Sequence, residues 1–171
     1  MKRLIILGAG GYGRTVADVA GQTGTFCEIL FLDDSCNGDG ITGRCNDYAR
    51  FADDGTVFYP AFGNNETRLN WLNRLEGENI PVATLVHPGA YVSPTAHIGA
   101  GTVILPQAAV NTDCRIGRGC IVNLGAIIDH GCVIGEGAHI CLGAIIKAEN
   151  RIPAKMKIEA GEVVNNRTYP L

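Results

Sequence analysis

The 171-residue sequence has no apolar stretch approaching the roughly 20 residues that span a bilayer. Its N-terminal apolar run, Leu4–Leu7 behind Lys2 and Arg3, gives way to glycine at Gly8 and is too short for the core of a secretory signal. There is no basic excess either. Lysine and arginine number 14 against 17 acids, a net charge of −3, and no cationic patch of the kind that holds nucleic acid stands out. Histidine is scarce, at four residues. The seven cysteines are odd in number and scattered along the chain, which argues against a disulfide framework. Free thiols imply a reducing compartment, so the cytoplasm is the expected location.

Residues 1–82 alternate strand and helix patterns. Leu4–Leu7, Ile29–Leu32 and Val57–Phe62 are short apolar runs, each closed by glycine or small polar residues, and read as buried strands. Thr15–Gln22 is a predicted helix, and Glu66–Glu78 carries Leu69, Leu72 and Leu75 at helical spacing. Such alternation predicts a parallel, Rossmann-like α/β sheet whose ligand sits beyond the C-terminal strand ends. Gly8-Ala9-Gly10-Gly11-Tyr12-Gly13 follows the first strand and opens a helix, with Asp33 about 20 residues on, as in dinucleotide-binding loops. Glycines let the backbone approach phosphate, and a helix N-terminus attracts it. A dinucleotide needs two such halves and only one is present, so a single nucleotide with something attached is expected instead of NAD.

Residues 83–171 follow a different rule. Every sixth residue from Ile80 to Val164 is Ile or Val, fifteen in all, although the whole chain holds only 29. Chance does not produce that. Four residues after these positions the side chain is small, from Ala90 through Cys114, Cys120, Ala126 and Cys132 to Ala144. A period of six is the hexapeptide repeat of a parallel β-helix, with the branched residue inside and the small residue at the corner. The three cysteines in that slot are therefore expected as filling. After Ala144 the slot holds Asn150, Met156 and Glu162, which predicts a less regular final coil. The tail 167–171 is expected to cover the far end of the prism or leave it open.

The glycine loop, Phe31-Leu32-Asp33-Asp34, Ala61-Phe62-Gly63-Asn64-Asn65-Glu66-Thr67-Arg68, His87-Pro88 and the hexads, in this order, resemble the PglD/NeuD-type sugar acetyltransferases of the hexapeptide acyltransferase superfamily. The resemblance covers residues 3 to about 148. It implies a left-handed β-helix with coils of three hexads and a homotrimer. It also implies acetyl-CoA as cosubstrate, no metal, and a UDP-linked amino sugar of the 4-amino-4,6-dideoxy-N-acetylhexosamine (bacillosamine) type as acceptor. Carried onto this chain, the sugar-nucleotide pocket comprises Gly10, Gly11, Tyr12, Asp33, Asp34, Gly63, Asn64 and Arg68. Arg68 is open to two readings, a phosphate or aspartate partner and a helix-surface charge.

The resemblance makes His130 the general base, in a segment where Asn123, Ala126, Asp129 and His130 match the family pattern. An imidazole suits removal of a proton from an attacking amine near neutral pH. Where relatives carry an acid after this histidine the chain has Gly131, so the orienting group is open between Asn123, water and a neighbouring subunit. His139, Gly143 and Ala148 are the expected acetyl-CoA contacts, with Lys147 either near a CoA phosphate or solvated. The same β-helix admits rival chemistries. A zinc enzyme of the γ-carbonic anhydrase type would space ligands by multiples of 18, and the differences among His87, His97, His130 and His139 contain none. O-acetylation of a sialic-acid-type sugar is the nearest rival within acyl transfer, and nucleotide-sugar binding without catalysis is the non-enzymatic one.

Overall fold

The structure, a computed structural model, describes residues 1–170 apart from 36, 37 and 39. The chain divides into two compact units, Met1–Ala83 and a second that begins at Thr84.

The first unit is built on strands β1 (Lys2–Leu7), β2 (Phe26–Leu32), β3 (Ile41–Gly43) and β4 (Thr56–Pro60), all parallel and ordered β3-β2-β1-β4. Helix α1 (Gly11–Gln22) follows β1 and helix α2 (Asn65–Gly77) follows β4. The core joins Ile5, Leu7, Leu32, Phe58 and Leu75 to Cys45 and Tyr48. The last two come from a 3-10 turn, Cys45–Phe51, that the sequence pattern did not reveal, and β3 was missed with it. Helix α1 begins four residues before the expected Thr15, because the glycine loop itself winds into the first turn and the Thr15 hydroxyl donates to Gly11 O. Two glycines are imposed by this junction. Gly8 has φ +102°, and a Cβ on Gly13 would lie 1.9 Å from Gly8 O.

In the second unit each coil contributes three two-residue strands, and these stack into three parallel sheets. Face one carries Leu85–Val86, Val103–Ile104, Ile121–Val122, His139–Ile140 and Lys157–Ile158. Face two carries Tyr91–Val92, Ala109–Val110, Ile127–Ile128, Ile145–Ile146 and Val163–Val164. Face three carries His97–Ile98, Arg115–Ile116, Val133–Ile134 and Arg151–Ile152. Partners lie 18 residues apart throughout, as Ile121↔His139 and Ile127↔Ile145 show. The second residue of each strand points inward, and from Ile104 to Val164 these side chains are buried in one continuous core. The architecture is the left-handed β-helix. Ile80 is not part of it. It lies in the first unit and packs on that unit's core, so the hexads begin at Val86.

The corner slot is fully buried from Thr102 to Ala144. Its polar members share one solution, donating to the carbonyl 15 residues on: Thr102 to Gly117 O (2.8 Å), Cys114 to Asp129 O (3.0 Å), Cys120 to Gly135 O (3.2 Å) and Cys132 to Lys147 O (3.3 Å). The hydrogen-bonded contact with Cys114, together with burial, pushes the Cys132 thiol up. All three thiols are buried and fill the corners of the prism.

The final coil is more regular than expected. Asn150 fits the slot because its amide is satisfied on every side. Nδ2 donates to Lys147 O (2.8 Å) and Asn165 O (2.9 Å), and Oδ1 accepts from Tyr169 N–H (2.9 Å). Tyr169–Pro170 thereby folds back on this coil, with Arg151 N–H donating to Tyr169 O (2.6 Å). Met156 packs against the core end, and Glu162, at the last slot, reaches out to accept from Glu159 N–H. Residue 171 lies outside the described residues.

Asn150→Ala leaves buried carbonyls and an N–H unpaired, and we expect it to destabilise the β-helix by on the order of 3 kcal/mol, read as a lowered unfolding temperature. Cys120→Ala, which installs the residue found at positions 126, 138 and 144, should cost no more than about 1 kcal/mol in the same melt. Gly13→Ala should abolish cooperative unfolding of the first unit in denaturant titrations, since its methyl overlaps backbone.

Candidate active site

In the first unit the loops after β1, β2 and β4 line the C-terminal edge of the sheet. Helix α1 follows β1 toward β2, and the chain reaches β4 on the other side of β1. The β1/β4 boundary is therefore the switch point where α/β sheets bind ligands. The start of α1 has no side-chain cap and no acid in its first turn, so its N–H groups and dipole favour an anion. Gly10 and Gly11 have open space where a Cβ would project. Unlike Gly8 and Gly13, these two would meet no protein atom with an added Cβ. Gly63 is likewise exposed with open space above it.

Tyr12 and Tyr59 place their hydroxyls 3.0 Å apart beside this edge. Burial pushes the Tyr12 phenol up to about 12, against the smaller opposing pulls of Tyr59 and Arg68, so the Tyr12 hydroxyl stays protonated. Tyr59 is a residue the sequence pattern concealed inside an apolar strand. Asp33 serves the protein first. Its Oδ2 accepts from Ala9 N–H (2.6 Å) and its Oδ1 from Ser35 N–H (2.7 Å), tying the glycine loop to the loop after β2. Asp34 accepts from Cys45 N–H (3.1 Å) at the start of the 3-10 turn. Asn64 caps α2 by accepting from Thr67 N–H (2.9 Å).

Arg68 corrects an expectation. It is not a helix-surface charge, because its side chain is fully buried. Its guanidinium donates to Phe62 O (2.8 Å) and to Asn65 Oδ1 (2.8 Å), so it braces the loop that carries Gly63 and Asn64. Five donors in a fixed fork suit that task.

On the β-helix the predicted residues fall on two corners. His130 stands after face two, exposed, and its imidazole has no hydrogen-bond partner among the described residues. Its backbone is pinned instead: the N–H donates to Asp129 Oδ1 (2.7 Å), and the carbonyl accepts from Glu149 N–H (3.1 Å). Asp129 also accepts from Asn111 Nδ2 (3.1 Å), one coil earlier. The His130 N–H above all, then Asn111, the His130 ring and the Ala148 N–H, hold the Asp129 carboxyl below its usual range. Ala148 lies on this same corner, as does Lys147, which donates to Asn165 Oδ1 (2.8 Å). Asn111 went unnoticed in the sequence, although counting back 18 from Asp129 finds it.

Asn123 does not orient His130. It sits on the corner between faces one and two, where its Nδ2 lies 3.1 Å from Nε2 of His139 in the next coil. Gly143 shares that corner at φ +63°, with its N–H donated to Leu124 O (2.9 Å) and open space above it. So Asn123, His139 and Gly143 form one group, and His130 with Ala148 another, separated within a single chain by face two. That face is apolar. Tyr91, Ala109, Ile127, Ile145 and Val163 point outward from it, with Ile127 43% and Tyr91 57% exposed, and Leu124 and Leu142 extend it at the corner.

Among the described residues there is no cluster of three or more histidines, cysteines and acids able to hold a metal ion, and no helix long and apolar enough to cross a membrane.

Residues 3–75 match the PglD N-terminal domain family. No curated protein matches the chain significantly. Among solved structures, the acetyltransferase domain of PglB from Neisseria gonorrhoeae FA1090 superposes with a TM-score of 0.91 at 33% identity, covering 95% of this chain and 82% of that one. A second structure of that domain, in complex with acetyl coenzyme A, matches at 34% identity and a TM-score of 0.91, over 95% of this chain and 81% of that one. PerB from Caulobacter crescentus, in complex with CoA and GDP-perosamine, matches at 25% identity and a TM-score of 0.81, over 99% of this chain and 91% of that one. With one third of its residues shared with an acetyltransferase domain along nearly its whole length, the chain belongs to the PglD/NeuD-type sugar acetyltransferases of the left-handed β-helix, or hexapeptide, superfamily.

Proposed function

We propose that this chain transfers the acetyl group of acetyl-CoA to the amine of a nucleotide-linked amino sugar in the cytoplasm, with His130 as general base. The carrying observation is the state of His130, an exposed imidazole held only by its backbone on a fold shared with an acetyl-CoA-binding domain. The acceptor amine attacks the thioester carbonyl while the imidazole takes its proton. The C–S bond breaks, CoA leaves as the thiol, and the product is an amide. A group without a fixed partner is free to accept that proton and pass it on.

The nucleotide is assigned to the C-terminal edge of the first unit. Uncapped α1, Gly10, Gly11 and Gly63 would receive its phosphates and sugar, and Asp33, Asp34, Asn64 and Arg68 hold the loops that shape the pocket. PerB was crystallised with a GDP-linked sugar, and one sheet of four strands suits a mononucleotide. A UDP-linked 4-amino-4,6-dideoxy-N-acetylhexosamine is the acceptor that the resemblance favours. His139, Gly143 and Ala148 are assigned to acetyl-CoA. The apolar face two supports a homotrimer, since a contiguous exposed apolar patch on a soluble protein marks an interaction surface. A second copy on that face would bring its corner residues beside those of the first.

His130→Ala should leave sugar-nucleotide binding intact and lower kcat by roughly 10²–10⁴, the scale of a lost general base. Free thiol released from acetyl-CoA, measured with and without the UDP-amino sugar, is the assay. Release that needs the sugar and fails in the variant supports the reading. Sugar binding without any release would make the chain a nucleotide-sugar-binding protein. Asp33→Ala should weaken nucleotide binding in titration calorimetry by loosening the glycine loop, and undiminished affinity would remove the pocket from this edge.

A further inference from the structure

Asn123 and His139 belong to successive coils, and the chemistry of their contact fixes more than their proximity. The backbone N–H of Leu124, which can only donate, lies 2.9 Å from one terminal atom of the Asn123 side chain. That atom is therefore the carbonyl oxygen. The other terminal atom is the NH₂ group, again a donor only, and it faces His139 Nε2 at 3.1 Å. Two donors cannot share a hydrogen bond. Nε2 must offer its lone pair, and the ring proton must sit on Nδ1. We infer that Asn123 is a positioning residue that locks His139 in its neutral Nδ1–H form, so that this imidazole serves acetyl transfer only as a fixed hydrogen-bond donor and leaves proton transfer to His130.

The surroundings of the ring act in the same direction. Along face one His139 lies in register between Ile121 and Lys157. Ile121 is buried and apolar and gives an imidazolium nothing to bind. Lys157 brings positive charge, partly offset by Glu159, whose carboxylate lies 3.0 Å from Nζ. Cys141, two residues on, has its thiol raised chiefly by burial and supplies no negative charge. A second proton on His139 would break the Asn123 bond and set a cation next to Lys157 in the stack. Within a single chain the two histidines therefore differ in kind: the His130 ring has no hydrogen-bond partner among the described residues, whereas His139 has its acceptor nitrogen already engaged.

The functional half of this inference rests on the acetyltransferase reading, and the tautomer does not. The test is long-range proton–nitrogen correlation NMR on the full-length protein with labelled histidine, without substrate, His139 being assigned from the signal lost in His139→Gln. We expect a protonated Nδ1 and a lone-pair Nε2 at neutral pH. Asn123→Asp, which offers only acceptors, should move the proton to Nε2. Asn123→Ala, the milder change should the aspartate variant fold poorly, should lose the preference for Nδ1–H. An Nε2–H or doubly protonated ring in the unmodified protein would overturn the inference, as would an Nδ1–H ring that persists in Asn123→Asp. Because no substrate is present, failure of the acetyl-transfer assay would leave this result standing, and the reverse holds equally.

Discussion

The second unit rests on one constraint, the vertical alignment of residues 18 apart. Each two-residue strand bonds to the strand one coil above and below, so every side chain is stacked on its own counterparts. Inside the prism this gives a continuous column of Ile and Val. At the corners it gives columns of a different kind: Asn111 onto Asp129, Lys147 onto Asn165, and Arg118 onto Glu136 at 2.8 Å. The columns are rigid because each backbone is held by parallel ladders on both sides. A chemical group placed at one corner is thereby positioned without any packing of its own, and this is how His130 can stand exposed yet fixed at its backbone.

The first unit solves the opposite problem, how to leave space. Its order β3-β2-β1-β4 opens a crevice at the sheet edge, and its polar residues mostly brace loops around that crevice. Asp33 ties two loops together, Asn64 starts a helix, and Arg68 is buried to hold carbonyls in place. The residues that face outward are those with the least side chain, Gly10, Gly11 and Gly63. A ligand there would meet backbone N–H groups and a helix dipole rather than long charged side chains, which suits recognition of phosphate by geometry.

Much of this was legible from residue types alone. The six-residue period gave the β-helix and its core because burial enforces it at every turn, and the glycine loop gave the β1–α1 junction because sterics allow little else at Gly8 and Gly13. Three things were hidden. Strand β3 and the turn Cys45–Phe51 are too short to show a period, and they are held by Cys45 and Tyr48 packing on a distant core. The two readings of Arg68 stayed open because helical spacing does not report how deep a turn is sunk. The partner of Asn123 was misjudged because its side chain reaches along the stack, to a residue 16 positions on, and neighbours in sequence gave no hint of it. In each case the missing information was a tertiary one, the depth of burial or a contact across the fold, and only the polar columns could have been recovered, by reading the chain in steps of 18.

A β-helix ends where its ladder ends, and an unfinished ladder is a template for another molecule's strand. The segment Tyr169–Pro170, folded back on Asn150 and Arg151, closes part of that edge with an antiparallel bridge. Proline adds to the closure because it has no N–H with which to recruit a further strand. One buried amide, that of Asn150, thus joins a non-repeating segment to the last strand of face three. Where every other strand of that face is answered by its own counterpart 18 residues away, this one is also answered by a segment that follows no repeat, so the rule of stacking like on like is broken there by a contact of a different kind.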